Sequence, residues 1–205
     1  GIESYLFKKN KITLFKGQGR LEGPKAVVVK GDAGETKVDT KNVLIATGSR
    51  PKTLPGMTPD GKVFLTSDEI LQLKEIPKSL IVIGAGAVGM EFASMFARFG
   101  TTVTVIEMLP RILPLEDEEM SNEAHKVLGK QMAIHVGART EAALKTATGV
   151  EVGFRTAQGE AKTITADALL VAVGRGPVTD GLNLESTKLQ LQKGSEFQTG
   201  PLMSP

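Results

Sequence analysis

The sequence predicts an α/β fold, a parallel sheet with an antiparallel three-stranded meander, and three observations predict it. First, an apolar run, a glycine-rich turn, an amphipathic helix pattern and a second apolar run follow one another across residues 78–107. That succession is a βαβ unit, whose two strands are parallel. Second, residues 139–166 alternate apolar and polar side chains in short runs separated by glycine turns, the pattern of antiparallel strands. Third, residues 11–51 and 132–177 look alike, and a repeat bears on any fold assignment.

The elements follow in order. Thr66-Ser67-Asp68-Glu69 is a capping box that opens a short helix through Leu73. Lys78–Ile83 (KSLIVI) is a short buried strand, and GAGAVG spans Gly84–Gly89. In the helix behind it, Val88, Phe92, Met95, Phe96 and Phe99 recur at helical spacing as one buried stripe, which Gly100 ends. Thr101–Glu107 (TTVTVIE) is β-branched and apolar, a second buried strand. Glu116–Glu119 is an acidic run suited to the positive end of a helix dipole. Met120, Ala124, Val127 and Leu128 then form that helix's apolar face. His125 falls off this face, and His135 sits in an alternating strand, so both read as surface residues. The runs EAALKTAT, VEVGFRT and AKTIT, parted by Thr148-Gly149 and Gln158-Gly159, form the meander. Ala168–Val173 is another buried strand, closing at Gly174-Arg175-Gly176-Pro177, and residues after Leu191 read as loop.

Composition excludes several classes. The chain has 205 residues, enough for one domain and part of a second. Apolar residues at 40% and charged residues at 23% suit a globular protein. A net charge of +2 is too small for a nucleic-acid footprint. With no cysteine there is no disulfide, thiolate metal site or thiol nucleophile. The two histidines match no zinc spacing, so no metal site and no catalytic residue is assigned. The longest apolar stretch, Leu80–Gly89, is short of the ~18 residues a membrane span requires. The N-terminal residues lack the apolar core of a signal peptide. A soluble chain without an export signal is expected.

Within the repeat, the first copy runs ITLF, Lys16-Gly17, AVVVK, Gly34–Lys37, LIATGSRP. The second runs AIHV, Gly137, VEVGF, Gly159–Lys162, LLVAVGRGP. Each copy reads as a strand, a meander and a last buried strand that ends in a glycine turn. In the second unit the closing Gly174 stands 90 residues after Gly84. The same distance counted back from Gly48 falls before residue 1, so the chain is expected to begin inside a domain.

The glycine turn has a definite chemistry. Gly84 permits a tight turn, Gly86 lets backbone approach a pyrophosphate, and Gly89 lets the helix pack closely on the strand. The amides of Ala85, Ala87 and Val88 lie between them, at a helix N-terminus that favours phosphate. Glu107 ends the second strand 23 residues after Gly84, close to the ~20 expected of the acid that binds an adenosine ribose. Its charge repels a 2′-phosphate, and no Arg follows directly, so NAD is preferred to NADP. Arg111 is the nearby cation, expected to pair with the acidic helix start. Glu91 has two readings, a carboxylate by the nicotinamide ribose or an exposed acid favoured by the helix dipole.

Residues 81–119, IVIGAGAVGMEFASMFARFGTTVTVIEMLPRILPLEDEE, resemble the NAD-binding segment of the dihydrolipoamide dehydrogenase family of flavoprotein disulfide reductases. LIATGSRP resembles the family's closing flavin-domain motif, and LLVAVGRGP its NAD-domain counterpart. The resemblance runs from residue 11 to about 191, and it implies a Rossmann-like NAD-binding domain plus trailing strands of a truncated FAD domain. It implies four segments: residues 1–51 from the FAD domain, 52–77 a linker with a short helix, 78–178 the NAD domain, and 179–205 a return segment.

By the same resemblance, Gly84–Gly89 hold the NAD pyrophosphate and Glu107 the ribose. Glu91 lies by the nicotinamide, backbone around Thr140 borders adenine, and Gly174 faces the nicotinamide end. Thr47, Gly48 and Ser49 touch FAD. Val178 departs from the family pattern, which has Asn there. The family's FAD turn, redox cysteines, late flavin motif and C-terminal His-Glu pair are all missing. The implied parent enzyme oxidises dihydrolipoamide and passes electrons through FAD to NAD+, as a homodimer within a 2-oxoacid dehydrogenase complex. Its compartment is the bacterial cytoplasm or the mitochondrial matrix. The chain itself is expected to be inactive. Mercuric reductases, soluble transhydrogenases and glutathione reductases share this region; Glu107 disfavours the NADP users, and ILPLEDEE favours the lipoamide enzyme. The rival from another class is a free-standing NAD-binding module, against which stands a first repeat lacking its own phosphate turn.

Overall fold

A computed structural model describes residues 2–189, so the loop expected after Leu191 lies outside the described residues. Two compact units divide the chain: residues up to Ser49 with those from Gly176, and Arg50–Arg175.

The first unit opens with α1 (Ile2–Lys9), a helix the sequence reading did not anticipate. Strands β1 (Gln18–Leu21), β2 (Ala26–Gly31) and β3 (Gly34–Asp39) follow as an antiparallel sheet in that order. Leu21, Ala26 and Val28 are its buried side chains. Two expected strands do not form. Residues 12–15 and 44–48 carry no strand, and Leu44 is 90% exposed. The cause is a missing neighbour: apolar and β-branched residues hold an extended chain only when a ladder is available beside them, and no strand pairs with either run among the described residues. The chain passes from one unit to the other within the short strand β4 (Ser49–Pro51).

The second unit holds β5 (Phe64–Leu65), β6 (Ser79–Ile83), α2 (Ala87–Arg98), β7 (Thr102–Ile106) and α3 (Glu118–Leu128). It continues with β8 (Ala133–His135), β9 (Arg139–Lys145), β10 (Val150–Arg155), β11 (Ala161–Ala166) and β12 (Ala168–Val171). Five strands form a parallel sheet in the order β5-β12-β6-β7-β8. The expected βαβ unit is present, with β6 and β7 in register from Ser79↔Thr102 to Ile83↔Ile106. Pleating sends alternate side chains to opposite faces. Leu80 and Val82 meet Met90, Ala93 and Phe96 of α2 on one side. Ile81 and Ile83 meet Val150, Val152 and Phe154 of the meander β11-β10-β9 on the other. The fold is therefore a helix layer, a parallel sheet and an antiparallel meander, as its sequence class required.

Several details differ from expectation. The stripe that α2 buries is Gly89, Met90, Ala93 and Phe96; Val88 and Phe99 are 36% and 55% exposed. Contact along β6 turns the helix toward its small residues, because Gly89 and Ala93 allow the closest approach. On α3 the inward face is Ser121, Ala124 and Leu128, whereas Met120 and Val127 face outward. Both histidines are half-buried rather than at the surface, and His135 lies 5.0 Å from the Phe154 ring. Phe64 and Leu65, in the segment read as linker, add β5 to the sheet edge and are buried. Thr66 donates both N–H (2.8 Å) and hydroxyl to Glu69, the expected box, but it opens only a single 3-10 turn, Ile70–Gln72.

Candidate functional site

The glycine turn leaves β6 where the chain can go either way: β7 follows on one side, and β12, much later in sequence, lies on the other. Open parallel sheets bind ligands at such switch points, beyond the carboxyl ends of the strands. The three glycines meet three different constraints. Gly84 has φ +100°, and a Cβ there stands 2.4 Å from the Ala172 carbonyl oxygen. Gly89 faces inward, and its Cβ falls 2.0 Å from the Gly84 carbonyl oxygen. Gly86 has an ordinary φ of −70°, and a Cβ there meets nothing within 4 Å. Protein packing thus requires the first and third glycines. The second leaves open space above the helix end.

α2 is 12 residues long and carries no side-chain cap at Gly86. Met90 N–H, donating to the Gly86 carbonyl at 3.0 Å, makes the first intrahelical bond. The amides before it point off the helix end and add to its partial positive charge.

Glu107 closes the other side of the crevice. It is 8% exposed, and both carboxylate oxygens are engaged. Oε2 accepts the Ala85 N–H at 2.6 Å, and Oε1 accepts the Leu109 N–H at 2.7 Å. These are short, charge-assisted bonds. The Glu107 backbone is fixed as well, its N–H donating to the His135 carbonyl and its carbonyl accepting the Ala138 N–H, both at 2.8 Å. An oxygen of an ionised carboxylate accepts two bonds, so each retains capacity for a hydroxyl donor. The residues present fit a dinucleotide: a helix end without a cap, open space at the middle glycine, and an acid within bonding reach of the turn.

Other site residues distribute as follows. Ala85 is fully buried, whereas Ala87 and Val88 are exposed at the helix mouth. Glu91 is exposed on the next turn of α2, in a groove of about 660 Å³ whose lining includes Ala87, Met90, Ser94 and Leu113. Thr140 lies on β9, two residues past the Ala138 amide bonded to Glu107, and its buried hydroxyl has no partner. Gly174 is exposed with φ +102° and open space at its Cβ position. Thr47, Gly48 and Ser49 belong to the other unit, all exposed. There the Thr47 hydroxyl donates to the Val178 carbonyl, whose N–H donates to the Gly48 carbonyl at 3.0 Å.

Arg111 departs from expectation. It forms no ion pair with the acidic helix start: Nη2 donates to the Pro114 carbonyl at 2.9 Å, and buried Nη1 has no partner. A turn closes the loop before α3, the Glu116 N–H donating to the Leu113 carbonyl at 3.0 Å. Sequence reasoning also missed Leu113 and Ser121. Leu113 donates its N–H to the Ala85 carbonyl at 2.7 Å from a left-handed conformation, φ +45°. Nothing in a leucine signals that. Ser121 was findable, because Ser121, Ala124 and Leu128 share a helical stripe. No group of three or more acidic, His or Cys side chains among the described residues could hold a metal ion. No helix among them is long and apolar enough to cross a membrane.

A family model described as pyridine nucleotide-disulphide oxidoreductase matches residues 2–203. Dihydrolipoyl dehydrogenase 3 of Pseudomonas putida is 46% identical over 196 residues, 94% of this chain and 42% of that protein. Dihydrolipoyl dehydrogenase of Bacillus subtilis is 40% identical over 202 residues, 93% of this chain and 43% of that protein. Among solved structures, LpdA from Mycobacterium tuberculosis superposes with a TM-score of 0.80 at 27% identity, covering 94% of this chain and 43% of that one. The flavoprotein disulfide reductase RclA from Escherichia coli gives 0.75 at 28% identity, with coverage of 94% and 43%. The chain spans about two fifths of the length of the curated relatives it matches.

Proposed function

Because the chain belongs to the pyridine nucleotide-disulphide oxidoreductase family, we propose that its second unit binds NAD and that the whole protein is a dihydrolipoyl dehydrogenase. The observation that carries the reading is the contact between Glu107 and Ala85, which puts an ionised acid beside an uncapped helix end. The amides of Gly86–Gly89 take the pyrophosphate. The free lone pairs of Glu107 take the adenosine ribose hydroxyls, and its charge turns away a 2′-phosphate. Glu91 and Gly174 border the nicotinamide, and backbone near Thr140 borders the adenine. Thr47, Gly48 and Ser49 form one edge of an FAD site.

When bound, NAD and FAD supply hydride transfer between flavin and nicotinamide. This chain contributes binding and orientation: it has no cysteine to exchange electrons with a dithiol, and alone it is expected to be inactive. The parent enzyme then works as a homodimer within a 2-oxoacid dehydrogenase complex, in bacterial cytoplasm or mitochondrial matrix.

Calorimetric titration of Glu107→Ala with NAD+ and NADP+ tests this. Affinity for both is expected to fall, because the Ala85 amide loses its acceptor. NAD+ should fall about tenfold further, as a lost charge-assisted hydrogen-bond partner is worth ~1.5 kcal/mol and the repulsion of NADP+ is relieved. Equal losses for the two nucleotides overturn the assignment of Glu107 to the ribose.

A further inference from the structure

The loop between β7 and α3 holds the glycine turn through a second bond, separate from that of Glu107. Ala85 is fully buried and is gripped by both of its backbone groups. Its N–H donates to Glu107, and its carbonyl accepts the Leu113 N–H at 2.7 Å. Leu113 reaches that position only with φ +45°, a conformation unfavourable for a branched side chain. Such backbone persists where its surroundings over-determine it. Here the Leu113 carbonyl accepts the Glu116 N–H at 3.0 Å, and its side chain packs against the helix-side core. The preceding residue, Ile112, is also fully buried. Its carbonyl accepts the hydroxyl of Ser121 at 2.6 Å, and Ser121, on α3, is itself 0% exposed.

We propose that Ser121 is a positioning residue for nucleotide binding, acting through Ile112 and Leu113 on Ala85 and so on the direction of the turn's amides. The proposal rests on the reading that this turn holds the NAD pyrophosphate. Without the Ser121 hydroxyl, the Ile112 carbonyl is left buried with no donor, and a group in that state rearranges toward any partner it can reach. The adjoining residue is the strained one. Letting Leu113 leave the left-handed region relieves the strain and frees the Ile112 carbonyl in one movement. It also breaks the Leu113–Ala85 bond.

Amide hydrogen exchange and NADH titration on the full 205-residue chain test this with Ser121→Ala. Exchange at the Leu113 amide in the ligand-free chain should quicken about tenfold, and the NADH dissociation constant should rise about three- to tenfold. In a chain already carrying Leu113→Gly, whose backbone takes φ +45° freely, adding Ser121→Ala should change NADH affinity less than twofold. A serine that serves only the fold lowers the melting temperature in both backgrounds and leaves the dissociation constant alone, which overturns the proposal. Should Ser121→Ala not fold, Ser121→Cys replaces the hydroxyl with a much weaker donor, so exchange at Leu113 should still quicken several-fold, and a rate equal to the parent's overturns the proposal equally. If the parent chain binds no NADH at millimolar concentration, the nucleotide reading fails. The exchange at Leu113 still decides whether Ser121 holds the turn.

Discussion

Alanine at two of the three turn glycines separates ligand contact from packing. At Gly86 the backbone has φ −70°, and the added methyl meets nothing within 4 Å. Replacing a flexible glycine by alanine there stabilises by about 0.4–1 kcal/mol through the unfolded chain. Gly86 is also the N-cap of α2, where alanine is poorer than glycine by about 0.5–1 kcal/mol. The two effects nearly cancel, so Gly86→Ala should shift the melting temperature by no more than ~2 °C, given ~2–4 °C per kcal/mol for a chain of this size. At Gly89 the methyl is placed 2.0 Å from the Gly84 carbonyl oxygen, which belongs to backbone and cannot swing aside. Overpacking of that kind costs about 1–3 kcal/mol, or a fall of roughly 2–12 °C. Affinity orders the two variants differently. Gly86→Ala puts a methyl where the proposed pyrophosphate would come within van der Waals distance of the backbone, and on that reading NADH affinity should fall at least tenfold, about 1.4 kcal/mol. Differential scanning fluorimetry with fluorescence titration of NADH reads both quantities. A Gly86→Ala chain that keeps full stability and full NADH affinity refutes the placement of the pyrophosphate.

Two further predictions concern pH. Burial acts to raise the Asp60 carboxyl, but the Lys145 ammonium and the amides of Lys62, Val63 and Phe64 outweigh it and hold the group well below the usual carboxylate range. A depressed folded-state value stabilises above the unfolded pKa near 4 and is lost as pH falls toward the folded value, so melting temperatures of Asp60→Asn should converge with the parent's below about pH 4. A constant gap down to pH 2 contradicts this. For His135, burial and then Lys162 lower the pKa from 6.5, so the folded state resists protonation and stability falls as pH drops below about 6.5. His135→Gln should flatten that part of the profile, and an NMR titration placing the imidazole at or above 6.5 contradicts the assignment.

What the sequence made legible was whatever depends on neighbours a few residues away. The βαβ unit declares itself because KSLIVI and TTVTVIE are each too apolar to leave a sheet interior. The glycines between them have no plausible use except a tight turn and a close approach. Partnership across long distances was not legible. ITLF and LIAT carry the same strand chemistry as KSLIVI, yet without a ladder they stay irregular, and Leu44 stands in solvent. On α2 and α3, periodicity found the helices and part of each inward face, since Phe92, Met95, Phe96, Ala124 and Leu128 pack on the core, but it included the exposed Val88, Phe99, Met120 and Val127 because it weighs apolarity and ignores size. Gly89, Ala93 and Ser121 win the core positions by being small. Of the site, the turn and its acid were readable, since spacing alone links Gly84 to Glu107. The clamp on Ala85 was not, because φ at Leu113 is set by contacts that no local pattern encodes.

The double engagement of Glu107 ties fold to selectivity. A buried ionised carboxylate is costly unless hydrogen-bonded, and here two backbone amides, those of Ala85 and Leu109, meet that cost before any ligand arrives. On the proposed reading, the turn is thereby set by the same charge that would discriminate between nucleotides. Preorganisation of this kind lowers the ordering that binding must otherwise bear. It also couples two properties that a sequence motif lists separately. Exchanging Glu107 for a basic residue to admit a 2′-phosphate removes the acceptor that fixes Ala85, so a change of nucleotide preference at this position requires a second acceptor for that amide. The other grip on Ala85, from Leu113, becomes the sole one left, and its strength then decides whether the amides still converge on a phosphate.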